Sequence, residues 1–292
     1  MKIEESVHSI TASDGSAIRV YSWKSPAPVR GVVQIAHGMG EHAQRYRPIA
    51  HALVNAGYAV YANDHRGHGE LAANAKALGD FGPGGFPSLV DDMTVVTRMA
   101  RNAEKGKMLV LLGHSMGSFA AQLYVLDHSE LLDGVALSGS AALDLLGAAA
   151  MSGRWQLEDL NAAFNPARTP FDWLSRDQAT VDAYIADPLC GFNVTGESYG
   201  SLFSVAPRLA EISEIGGIRK ELPVFLFAGD RDPVNANLTW FQPLIDRYRE
   251  AGLTDVSWHV YGGARHEVLN ETNRPEVIAN FQAWSDRIMG PT

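Results

Sequence analysis

One serine in the chain stands where it could act as a nucleophile. Gly113-His114-Ser115-Met116-Gly117 is a G-x-S-x-G segment. It follows an apolar run that reads as a strand and precedes a run that reads as a helix. A serine hydroxyl attacks poorly unless it is exposed and held against a base. A tight strand-to-helix turn does both, and small flanking residues let that turn approach its neighbours. The chain has ten histidines, so residue type alone does not identify the base. His266, in Gly262-Gly263-Ala264-Arg265-His266-Glu267, follows the last predicted strand, at the end where ligands gather in open α/β sheets. Asp230 and Asp232 follow the strand Val224–Phe227, and either could orient the imidazole through its Nδ1–H. An oxyanion formed by serine attack needs backbone N–H donors. One is expected at Met116, the residue after the nucleophile, where the helix dipole also favours negative charge. The other is expected in the loop His37-Gly38-Met39-Gly40, at Met39.

These groups need a scaffold, and the chain alternates short β-rich runs with helical stretches. Runs at 31–36, 58–62, 108–112, 134–138 and 223–227 are nearly all apolar, as strands buried on both faces of a parallel sheet should be. Helical patterns lie near 45–56, 87–104 and 117–128, and a last strand at 257–261 precedes a closing helix near 274–288. Residues 3–24 alternate and break at Ser13-Asp14-Gly15, which suggests an antiparallel hairpin at one edge. The alternation implies a doubly wound α/β sheet. From about Gly139 to Glu221 no buried-strand signal occurs, and an inserted helical unit accounts for so long an interruption. The division expected is 1–138 and 222–292 for the core and 139–221 for the insertion.

With 24 Lys and Arg against 33 Asp and Glu, the net charge is -9, which argues against general nucleic-acid binding. No apolar run approaches the roughly 20 residues of a membrane span. The start of the chain has acids where a signal peptide needs bases, and Cys190 is the only cysteine. A cytoplasmic location is expected.

Four segments together resemble the α/β-hydrolase superfamily, and within it the monoacylglycerol lipase and lysophospholipase-like branch. They are His37-Gly38-Met39-Gly40-Glu41-His42 with Arg45-Tyr46, Asp64-His65-Arg66-Gly67-His68-Gly69, Gly113-His114-Ser115-Met116-Gly117, and Gly263-Ala264-Arg265-His266. Leu174-Ser175-Arg176-Asp177 and Asp187-Pro188-Leu189 look like the family's cap region. The resemblance implies a mostly parallel eight-stranded sheet flanked by helices, an inserted helical cap, and a Ser-Asp-His esterase that needs no metal or organic cofactor. The family's Gly-x-x-Asp pattern maps Gly229 onto Asp232 as the acid. Asp230 then becomes a turn residue. The expected substrate is a small lipophilic monoester such as a monoacylglycerol. Lysophospholipid, short-chain or aryl ester, amide and acyl-transfer chemistry remain alternatives with the same groups. A dehalogenase or epoxide hydrolase would need a carboxylate where this chain has Ser115. A ligand-binding module without catalysis is the remaining reading, and it would have no need of the complete set.

Other residues have structural expectations. His65 and His68 lack carboxylate or thiol partners at metal-ligand spacing, so Asp64–Gly69 is expected to be a structural loop. His114 is expected to pack under the elbow, His37 to shape the oxyanion loop, and Cys190 to be buried in the cap with no base beside it. Large apolar residues crowd the first half of the insertion. Leu143, Leu146, Met151 and Trp155 are the expected pocket residues. An apolar cap could also touch a membrane or micelle transiently.

Overall fold

The computed structural model describes residues 2–153 and 159–290. Eight strands form one sheet: β1 (Glu4–Thr11), β2 (Ala17–Lys24), β3 (Gly31–Ala36), β4 (Tyr58–Asn63), β5 (Leu109–His114), β6 (Gly134–Ser138), β7 (Val224–Gly229) and β8 (Val256–Tyr261). Their order is β1-β2-β4-β3-β5-β6-β7-β8. Pairing is parallel from β4 through β8, while β1–β2 and β2–β4 are antiparallel. The expected mostly parallel eight-stranded sheet is therefore present, with its hairpin at one edge.

Side chains on successive strand residues point to opposite faces, and the core divides accordingly. Leu109 and Leu111 of β5 join one apolar cluster, Val110 and Leu112 the other. In β7, Val224, Leu226 and Ala228 face the first cluster, while Phe225 and Phe227 face the second. Helices Gly85–Ala103 and Met116–His128 cover the first face; Arg47–Asn55 and Arg274–Met289 cover the second. Their apolar positions recur at helical spacing, as in Ile49, Leu53 and Val54. Phe241–Glu250 is a further helix that the sequence reading passed over. Its buried Phe241, Leu244, Ile245 and Tyr248 follow an i, i+3, i+4, i+7 pattern within an otherwise polar stretch.

Between β6 and β7 the described residues form helices and turns but no strand. Helix Gly196–Ser204 packs on Gly85–Ala103, and Leu143–Met151 packs on the short helix Ala206–Ala210. Ser198 and Ser201 accept from the Phe81 and Phe86 amides through their Oγ atoms, tying this segment to the loop before the core helix and to that helix's first turn. Among the described residues no helix is long and apolar enough to cross a membrane.

Candidate active site

Ser115 sits between the end of β5 and the start of the helix Met116–His128, with φ 52° and ψ -121°. A non-glycine residue held at positive φ costs on the order of 1–3 kcal/mol, so its surroundings must enforce it. The Ser115 N–H donates to the Ser138 carbonyl at 2.9 Å, and Ser118 Oγ donates to the Ser115 carbonyl at 2.6 Å. The flanking glycines are required by close approach. A Cβ on Gly113 would stand 2.4 Å from the Gly117 carbonyl oxygen, and one on Gly117 would stand 2.2 Å from that of Ala36. Met116 is the first residue of the helix, so its N–H has no carbonyl one turn earlier to bind.

His266 and Asp232 are both buried and meet at 2.9 Å, Nδ1 to Oδ1. The carboxylate also accepts from the Val234 amide at 2.9 Å and from Asn235 Nδ2 at 3.2 Å, which leaves its orientation little freedom. Burial acts to lower the His266 pKa. The charge and hydrogen bond of Asp232, supported by Glu267 and Glu41, outweigh burial and raise the pKa above the ordinary value. Asp230 instead accepts from the Gly263 amide at 2.7 Å, so the structure brings Asp232 and not Asp230 to the imidazole. His114 packs against His266 with ring centroids 4.9 Å apart and bonds Ser138 Oγ at 3.2 Å. Burial, then the neighbouring His266, push its pKa down to about 4.

The loop Gly38–Gly40 is held by two histidines, each donating through Nδ1 and accepting through Nε2. His37 Nδ1 lies 2.7 Å from the Gly38 carbonyl, and its Nε2 accepts from the His65 amide at 3.0 Å. His68 repeats the arrangement, with Nδ1 at 2.9 Å from the Arg66 carbonyl and Nε2 accepting from the Gly40 amide at 3.2 Å. A carbonyl can only accept, so both rings carry their proton on Nδ1. Burial keeps both neutral, lowering His37 well below the ordinary histidine value and His68 to about 4. The segment Asp64–Gly69 thus supports the loop that carries Met39. On the other side, the Gly40 carbonyl accepts from Tyr184 Oη and the Gly191 amide, both at 2.9 Å and both from the β6–β7 segment.

Ser115, His266, Met39 and Met116 line one cavity of about 610 Å³, within the usual range of roughly 300–1,000 Å³ for small-molecule sites. Phe119, Leu146, Leu160, Leu202, Phe203 and Val234 give it an apolar wall. Glu41, Glu267 and Tyr184 give it a polar one. There Arg45 bridges the two carboxylates, meeting Glu267 bidentately at 2.8 and 2.9 Å and Glu41 through the same guanidinium. Tyr46 and the Gly38 amide donate to Glu41. This buried cluster was not anticipated, because Arg45 and Glu267 lie 222 residues apart.

The expected pocket residues part company. Leu146 lines the cavity. Leu143 is fully buried in the first core cluster and is not among the residues that line the cavity, because its side chain is taken up by core packing. Met151, at the far end of that helix, is 91% exposed. Trp155 lies outside the described residues. Cys190 is half-buried rather than enclosed, and a histidine, His42, stands beside it.

Residues 27–273 match the family described as serine aminopeptidase, S33. A monoacylglycerol lipase of Mycolicibacterium smegmatis is 30% identical over 284 residues, which is 96% of each chain. A thermostable carboxyl esterase from Bacillus coagulans, in complex with glycerol, superposes with a TM-score of 0.86 at 25% identity, covering 98% of this chain and 99% of the other. The monoacylglycerol lipase of Paleococcus ferrophilus gives 0.68 at 26% identity, covering 91% and 97%. The strand order, the serine elbow at the end of β5 and these likenesses agree, and the chain belongs to the S33 group of the α/β-hydrolases, as a monoacylglycerol lipase- and esterase-like member.

Proposed function

We propose that this protein is a serine carboxylic-ester hydrolase that cleaves a lipophilic monoester of the monoacylglycerol class. The observation that carries the reading is the buried His266–Asp232 pair at 2.9 Å, whose imidazole lines the same cavity as Ser115. Ser115 attacks the ester carbonyl as His266, oriented by Asp232, takes its proton. The Met39 and Met116 amides stabilise the tetrahedral oxyanion. His266 then protonates the departing alcohol, and water, activated by the same imidazole, releases the acid from the acyl-enzyme. Segment 139–221 acts as a cap, and the acyl chain lies along the wall that Phe119, Leu146 and Leu202 form. No step draws on a metal or organic cofactor.

Names of similar proteins supply the substrate class, and the apolar wall supports it. The test is hydrolysis of p-nitrophenyl esters from acetate to palmitate beside monoacylglycerols, with Ser115→Ala as the blank. A maximum at medium or long chains, with glycerol released, is expected. Activity confined to the shortest esters would leave the nucleophile in place and overturn the lipid assignment.

A further inference from the structure

Beside the polar end of the cavity, three side chains of metal-binding chemistry meet at the seam between the core and the β6–β7 segment. A His42 ring nitrogen, an Asp187 carboxylate oxygen and Cys190 Sγ all lie within 4.8 Å of one another. His42 Nε2 is already 2.9 Å from Asp187 Oδ2. The other oxygen, Oδ1, accepts from the Leu189 amide at 2.9 Å, which fixes the carboxylate with Oδ2 towards His42. The reaction proposed above uses none of the three.

We propose that His42, Asp187 and Cys190 bind a thiophilic divalent cation of the Zn²⁺ type, which pins the β6–β7 segment to the oxyanion loop and slows turnover. Imidazole, carboxylate and thiolate are all zinc ligands, at about 2.0–2.3 Å, and three of them leave a fourth position for water. Donors around such an ion stand about 3.5 Å apart, and these atoms lie within 4.8 Å of one another, so no gap need close by more than about 1.3 Å, a movement that side-chain rotation supplies. Mg²⁺ and Ca²⁺ prefer all-oxygen sets and suit a thiol poorly.

Charge favours a divalent ion. Arg45 offsets only one of the Glu41 and Glu267 carboxylates, and Asp187 adds another, so carboxylates outnumber guanidinium groups by two beside the imidazole and the thiol. Burial raises the Cys190 pKa despite the opposing pull of Arg45, and Glu41, Asp187 and Glu267 add to the rise, so without a cation the thiol keeps its proton. On binding, the S–H bond breaks, a Zn–S bond forms and the proton passes to solvent. The Nε2–H that His42 donates to Asp187 loses its proton to solvent, and the imidazole binds through the freed Nε2 lone pair as the Nδ1–H tautomer.

The link to turnover is a matter of neighbours. His42 follows Glu41 and Cys190 precedes Gly191, and both Glu41 and Gly191 line the cavity. The Gly191 amide also donates to the Gly40 carbonyl, so an ion here ties both sides of that contact together. Binding itself is independent of the ester-hydrolase reading, whereas inhibition rests on it.

The test uses the full chain, stripped with a chelator and titrated with Co²⁺ and then Zn²⁺. One equivalent of Co²⁺ is expected to give a thiolate-to-cobalt charge-transfer band, which Zn²⁺ then bleaches. Zn²⁺ is expected to inhibit ester turnover reversibly. Cys190→Ala should abolish the band, weaken Zn²⁺ binding by more than about 100-fold, remove the inhibition and leave metal-free turnover unchanged. Asp187→Asn should weaken binding in the same direction, and it carries the test if Cys190→Ala does not fold. No band in the wild type, or Zn²⁺ binding and inhibition undiminished in both variants, would overturn the site. Binding that leaves turnover untouched would overturn the clamp. A metal-free wild type inactive on every ester would count against the hydrolase reading alone, because the spectra do not depend on it.

Discussion

The floor and the roof of the cavity are built by different means. The floor comprises the Ser115 elbow, the His266–Asp232 pair and the Gly38–Gly40 loop. Backbone sterics and buried directional hydrogen bonds hold it. Gly117 cannot carry a Cβ, Asp232 has three donors, and Gly40 is held through its amide by His68. The roof is the β6–β7 segment, where apolar residues are sorted by which way they face. Leu143, Leu146 and Met151 share one helix, yet one is core, one lines the cavity and one is 91% exposed. Floor residues therefore tolerate almost no change of type, whereas roof residues should tolerate change wherever they do not meet the cavity.

The sharpest break in the floor is Asp232→Asn. It keeps the shape but unsettles the imidazole tautomer, and kcat should fall by about 10⁴-fold. Asp230→Asn removes only a turn contact to Gly263 and should change kcat little. The opposite ranking, measured on one ester, would transfer the acid's role to Asp230.

His68 tests whether the loop supports matter as much as the reacting groups. Losing one oxyanion donor costs about 10²–10³-fold, so His68→Ala, which only loosens the loop, should lower kcat by up to about 10²-fold with KM little changed. His68→Gln retains an acceptor for the Gly40 amide and should recover part of the loss. A change confined to KM would place His68 in substrate binding instead.

A smaller effect concerns protonation. His266 acts as a base only when neutral, and Asp232, Glu267 and Glu41 raise its pKa against the opposing effect of burial. The neighbouring His114 stays neutral, with a pKa of about 4. kcat/KM should therefore fall as pH drops through a value above the ordinary 6.5. In Asp232→Asn the residual activity should show that limb at lower pH. A limb that stays in place would mean that another group titrates.

The roof should give the smallest effects, and they should differ among neighbours. Leu146→Trp narrows the apolar wall and should shift the preferred ester towards shorter chains. Leu143→Ala should leave that preference alone while lowering stability by about 2–5 kcal/mol, as core truncations do. Met151→Ala should do neither. The chain-length profile and denaturant unfolding, measured in parallel, separate the three.

How much of this was legible in the sequence follows the same division. The strands in the middle of the sheet read correctly because burial on both faces leaves nearly unbroken apolar runs. The helix Phe241–Glu250 escaped notice because its four buried residues are spread among polar ones, although their spacing was available. In the floor, the elbow, His266 and the loop residues carry local signatures, since sharp turns and close backbone approach demand particular residue types. Asp232 needed the family pattern to separate it from Asp230. The Arg45–Glu267 contact and the His42–Asp187–Cys190 grouping had no local signature at all, because each joins segments far apart in the chain. In the roof, a helix buried on several sides gives apolar residues without saying which of them meets the substrate.

The central claim is that Ser115 is the nucleophile held by this floor. Its most direct test is labelling with a fluorophosphonate, the modified residue being located by peptide mass spectrometry, beside ester turnover of wild type and Ser115→Ala. The account predicts a single adduct on Ser115, none in the variant, and turnover lower by about 10⁶-fold in a protein that remains folded. An adduct on another residue, or ester turnover retained by folded Ser115→Ala, would contradict it.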